Sequence, residues 1–109
     1  MIQPQELRIG DYIEYNGEII KLDGSLLCCY IQNELEFPIN PIPLTEEILL
    51  KFWFEKKGDF WFVKSGIKIE NRNNGFSYFR YLNEIKILSV HQLQNLHFAL
   101  TGEELTFKN

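Results

Sequence analysis

The residues with the most evident chemical capacity stand near the end of the chain, in VHQLQNLHFALTGEEL (90–105), where His91 and His97 are six positions apart. Imidazoles bind zinc or move protons near neutral pH. Their spacing argues against zinc. At about 100° per residue the two rings leave a helix about 120° apart, whereas histidines that share an ion from one helix stand three or four apart. Proton transfer needs a nucleophile or an orienting carboxylate within reach. Only folding could bring Asp11, Asp59 or a serine there. The chain holds no nucleophile elbow, phosphate loop, dinucleotide fingerprint or zinc-protease motif. The expectation is a protein that is not an enzyme, with no catalytic residues, metal site or cofactor. His97 is read as a packing residue and His91 as a polar residue at a helix start.

Two other groups could bind rather than react. On a helix over 90–101, Leu93, Leu96, His97 and Leu100 form one stripe, the core face. His91, Asn95 and Phe98 fall roughly opposite, flanked by Gln94. Either the N-terminal sheet covers Phe98, or a partner does. His91, Gln94, Asn95 and Phe98 are the candidate partner surface. Trp61 and Tyr78 are interleaved with Lys64, Lys68, Arg72, Arg80 and Lys86. Aromatic platforms beside cations stack nucleotides or single strands. The competing reading is a core ladder of aromatics with lysines on the outer face.

The elements that must position these groups follow from pattern and punctuation. DYIEY alternates, Asn16-Gly17 suits a type I′ hairpin, and EIIKL returns. Asp23-Gly24 reads as a second turn, SLLCCYI as a third strand and LEFPI as a fourth. Together they suggest an antiparallel meander, an SH3-like partial barrel. Pro41 and Pro43 hold NPIPL extended. Thr45 then caps a helix whose first turn carries Glu46 and Glu47, with Ile48, Leu49 and Phe52 on one face and an end near Trp53. A second antiparallel sheet of three or four strands follows, from DFWFVK to IKIL. The last helix has a capping box in Ser89 and Gln92, a hydrophobic staple in Leu88 and Leu93, and a stop in Gly102. ELTFK is expected to add a final strand. The fold class is therefore α+β, one domain over 1–109, with a meander lobe (1–44) and a helix–sheet–helix lobe (45–109).

Composition sets the setting. The 109 residues are 45% hydrophobic, 24% charged and 15% aromatic, as in a folded protein with a modest core. Net charge is −4, unevenly placed: residues 1–50 hold two basic and nine acidic side chains, residues 51–90 eight and four. An acidic first half disfavours general nucleic-acid binding, while a basic middle keeps a local anion site open. Cys28 and Cys29, adjacent on the expected strand, would point to opposite faces and stay free. Free thiols, no apolar leader and no long apolar run point to a cytoplasmic protein away from membranes.

LRIGDYIEYNGEI (7–19), PIPLTEEILLKFWFEK (41–56) and VHQLQNLHFALTGEEL (90–105) resemble an uncharacterised family of small proteins from Bacteroidetes bacteria and their phages. In that family's pattern a glycine stands at position 53 and a tyrosine at 97. The glycine would stop a helix, so Trp53 leaves the end of the first helix open. Tyrosine at 97 fits packing better than catalysis. The resemblance implies a phage or mobile-element setting, hence a host cytoplasm, and carries no activity, cofactor or site residues. The resulting expectation is a small binding protein acting through protein–protein contacts on a host system. A protein partner or a second copy is favoured over nucleic acid. The alternative is capture of a nucleotide signal or single strand on the basic-aromatic sheet.

Overall fold

The computed structural model describes residues 2–72, 75–80 and 83–108, with Arg72, Arg80 and Asn83 described by backbone alone. The fold is α+β, with two antiparallel sheets.

The N-terminal sheet starts from the predicted hairpin. β1 (Tyr12–Tyr15) and β2 (Glu18–Lys21) pair across Asn16 and Gly17, both left-handed at φ 52° and 80°. β3 (Ile39–Asn40) pairs with the other edge of β1. The strand expected over 25–31 is instead helix α1 (Gly24–Ile31). Asp23 opens this helix rather than a turn, its carboxylate accepting the Leu26 N–H at 2.8 Å. Leu26, Leu27 and Tyr30, at helical spacing, pack on Ile2, Ile13, Leu22 and Ile39. A run apolar at almost every position has no period that separates strand from helix. The sheet thus has three strands rather than four. Cys28 and Cys29 are free thiols, on a helix rather than a strand.

The next helix begins as expected. Thr45 Oγ1 accepts the Ile48 N–H at 3.2 Å and opens α2 (Glu46–Lys51). Five strands follow as a simple meander: β4 (Glu55–Lys57), β5 (Trp61–Lys64), β6 (Ile67–Arg72), β7 (Gly75–Arg80) and β8 (Asn83–Ile87). The unanticipated strand is β4, whose three exposed charged residues carry no apolar alternation. Phe62 pairs with Ile69, Ile69 with Tyr78, and Tyr78 with Ile85. This row lies on the core face, where Phe62 and Ile69 are fully buried with Leu49, Phe52 and Leu93.

Helix α3 (Val90–Thr101) has the predicted bounds and ends on left-handed Gly102, φ 75°. Its start differs. Ser89 makes no side-chain cap, and Gln92 Oε1 accepts the Leu88 N–H at 2.8 Å instead of that of Ser89. Leu88 is 66% exposed while Leu93 is buried, so the expected staple does not close. ELTFK adds no strand. Leu105 enters the core, and the Phe107 ring stacks on Phe52 at 4.5 Å. Among the described residues no helix is long and apolar enough to cross a membrane.

Candidate functional site

The face of α3 assigned to a partner is largely an internal seam. Gln94 is fully buried; its Oε1 accepts the Tyr12 N–H at 2.7 Å and its Nε2 donates to Gly10 O at 3.0 Å. Asn95 Nδ2 donates to Glu6 O at 2.8 Å, and its Oδ1 accepts from Arg8 Nε at 3.2 Å. The Arg8 guanidinium pairs with the Glu104 carboxylate and lies 4.2 Å over the Phe98 ring. Phe98 is therefore covered on one face within the chain and is 39% exposed. His91, at 3%, turns inward. Four residues read as one outer surface thus separate: His91 and Gln94 are buried, Asn95 is tied to the N-terminal lobe, and only Phe98 keeps substantial exposure. The helical wheel could not show this, because it says nothing of a second lobe lying on the polar side.

Asp11 sits at the heart of this seam. It is fully buried, and Oδ2 accepts the Arg8 N–H at 2.9 Å. Oδ1 has no hydrogen-bond partner among the described residues, the Arg8 guanidinium standing 3.9 Å away. Burial pushes the carboxyl up to about 6, against the opposing pull of the Arg8 N–H, the Arg8 charge and Asn95.

The basic-aromatic group also divides. Pairing of Trp61 with Glu70, Glu70 with Ser77 and Ser77 with Lys86 places these four on the outer face. Lys68, opposite Val63, shares it. Lys64 pairs with Ile67 and, with Tyr78, belongs to the opposite, core-side face. Arg72 and Arg80 pair with Gly75 and Asn83 in the ladder, and their side chains lie outside the described residues. The outer face mixes charge: Lys68 and Lys86 alternate with Glu70 and Glu84.

His97 is buried on the core stripe, its Nδ1 3.0 Å from Glu103 O. Among the described residues no cluster of three or more histidine, cysteine, aspartate or glutamate side chains could hold a metal ion.

Two features stand outside the candidate sites expected from the sequence. The first is Trp53. Helix α2 closes with a Schellman motif: the Trp53 N–H bonds Leu50 O and the Phe54 N–H bonds Leu49 O, both at 3.1 Å. This closure requires a left-handed residue at position 53, and Trp53 takes it at φ 72°. A residue with a Cβ is disfavoured there by about 1–2 kcal/mol. The indole is 54% exposed, with Lys108 Nζ 4.6 Å from its ring. The available signal was the resemblance noted from the sequence, whose pattern has a glycine at 53.

No protein-family model, curated protein or solved structure matches this chain.

The second feature is a cleft of about 240 Å³ at the start of α3. Ile2, Pro41, Pro43 and Leu88 supply apolar walls, and Glu6, Ser89 and His91 a polar end. The Ser89 hydroxyl, turned away from capping, lies 3.0 Å from His91 Nδ1. His91 Nε2 is buried without a hydrogen-bond partner among the described residues, 3.9 Å from Glu6 Oε1. Burial holds the imidazole below its ordinary value of 6.5 despite Glu6, so it is neutral at pH 7.

Proposed function

We propose that this chain is a non-enzymatic binding protein that acts through contact with another protein, with Trp53 as the anchor of that contact. The observation that carries the reading is an exposed indole held in a backbone conformation that suits glycine. Strain kept at an exposed position needs a return, and recognition is the usual one. Tryptophan is the residue type most enriched at interface hot spots. Leu50 on α2 is also exposed, at 39%, and the Lys108 cation stands over the indole. The resemblance to small phage and mobile-element proteins points to a host component as partner, in the host cytoplasm. The contact surface moves from the Phe98 face, which the N-terminal lobe largely occupies, to the end of α2.

A photo-crosslinking amino acid placed at position 53, in cells of the native host, tests this. A discrete adduct at 53 and none from exposed Ile31 on α1 supports the reading. An adduct only with a second copy makes the partner this chain itself. Absence of any adduct at 53 overturns it.

A second reading keeps the outer sheet face as a nucleotide or single-strand platform, because Trp61, Lys68 and Lys86 share it. It predicts quenching of Trp61 fluorescence by nucleotides, in a Trp53→Phe background, that weakens with salt. An unchanged spectrum across a nucleotide and oligonucleotide panel removes it.

A further inference from the structure

We propose that the cleft at the start of α3 binds a small molecule carrying an amide group on an apolar body. The N-terminus of α3 carries no side-chain cap. Of the first amides of α3, the Val90 N–H donates to Ile42 O at 2.8 Å and the Leu93 N–H to Ser89 O at 3.2 Å. Those of His91 and Gln92 have no carbonyl within the helix to bond, and Ser89 does not cap them. A residue suited to capping that leaves its helix uncapped breaks a local rule, and such breaks concentrate at functional positions.

The second observation is independent. The His91 side chain is 3% exposed, yet Nε2 lacks a hydrogen-bond partner among the described residues. Its tautomer follows from its neighbours. If Nδ1 carried the proton, bare Nε2 would face the Glu6 carboxylate, lone pair against lone pair. With the Ser89 hydroxyl donating to Nδ1, the proton sits on Nε2 and points at Glu6 Oε1. At 3.9 Å that contact is too long for a hydrogen bond. Glu6 is kept in place by its other oxygen, which accepts the Gln3 N–H at 3.2 Å.

The polar end therefore holds a donor and a carboxylate acceptor side by side, neither satisfying the other. An amide matches both: its carbonyl accepts from His91 Nε2–H, and its N–H donates to Glu6. A carboxylate ligand would be repelled by Glu6, and an ammonium would leave Nε2–H unpaired. The apolar walls select an alkyl or aryl body.

The test is a titration of isotope-labelled full-length protein, followed by NMR, with three probes of one length: hexanamide, hexanoate and hexylammonium. Hexanamide is expected to shift the His91 ring and Gln92 amide signals saturably, with a Kd of about 1 mM for so small a ligand. Hexanoate and hexylammonium are expected to bind at least about tenfold more weakly, and Glu6→Gln to weaken hexanamide by about tenfold. No response to hexanamide, equal binding of either charged probe, or undiminished hexanamide binding by a folded Glu6→Gln protein overturns the proposal. The ranking of probes on the unaltered chain decides by itself if that variant does not fold.

Discussion

Helices α2 and α3 differ at both ends, and in each pair one end follows local backbone rules and the other departs from them. At the N-termini, Thr45 caps α2 with its side chain, whereas Ser89 turns its hydroxyl to His91 and leaves α3 uncapped. At the C-termini the left-handed residue is Trp53 after α2 and Gly102 after α3, at φ 72° and 75°. The same backbone need is met once by the residue that suits it and once by a residue that does not. Both departures coincide with unspent binding capacity: an exposed indole in one case, an unsatisfied imidazole in the other. Where two equivalent positions in one molecule solve the same problem differently, the more strained solution is where a second task is proposed.

The largest effect is expected at the middle of α3, which polar contacts tie to residues 6–12. Gln94→Leu orphans the Tyr12 N–H and the Gly10 carbonyl together. It is expected to cost about 3 kcal/mol, counting about 1.5 for each part-buried group, in urea unfolding. Smaller is the effect of Asp11, whose carboxyl is raised from 3.8 to about 6. The folded protein holds that proton more tightly, so its contribution to stability is greatest below about pH 4 and falls as pH rises to about 6. Asp11→Asn should therefore gain about 2–3 kcal/mol on the parent between pH 4 and 7, read as the difference of two pH profiles. The depressed His91 works in the opposite sense, destabilising the fold as pH falls through 6.5. It does so in both proteins and cancels.

Next come the helix ends. At most positions alanine is more stable than glycine. At position 53 the order should reverse, Trp53→Gly being more stable than Trp53→Ala by about 1 kcal/mol. Gly102→Ala should lose about the same, for purely conformational reasons, since a Cβ there meets nothing within 4 Å. Equal stability of the two position-53 variants would remove the strain from the account. Thr45→Ala should cost about 1 kcal/mol through the lost cap, seen as a lowered thermal midpoint.

Legibility in the sequence followed the strength of local signals. The hairpin at Asn16-Gly17, the start of α2 at Thr45 and the bounds of α3 were all readable, because turn and stop residues act within a few positions. Helix α1 was not, because LLCCYI is apolar without period and Asp23 serves turns and caps alike. Strand β4 was not, because a charged edge strand shows no apolar alternation. The leucine face of α3 was legible, but the burial of its polar face was not. That burial depends on Arg8, Gly10 and Tyr12, more than eighty residues away in sequence. The cleft was hidden for the same reason, since Glu6 meets His91 only through the fold.

The most direct test of the central claim is partner capture by the Trp53→Gly protein beside the parent, at matched concentrations of folded protein. The variant is expected to keep its fold and lose capture by at least about tenfold, the loss expected for a hot-spot aromatic. Capture equal to that of the parent would contradict it.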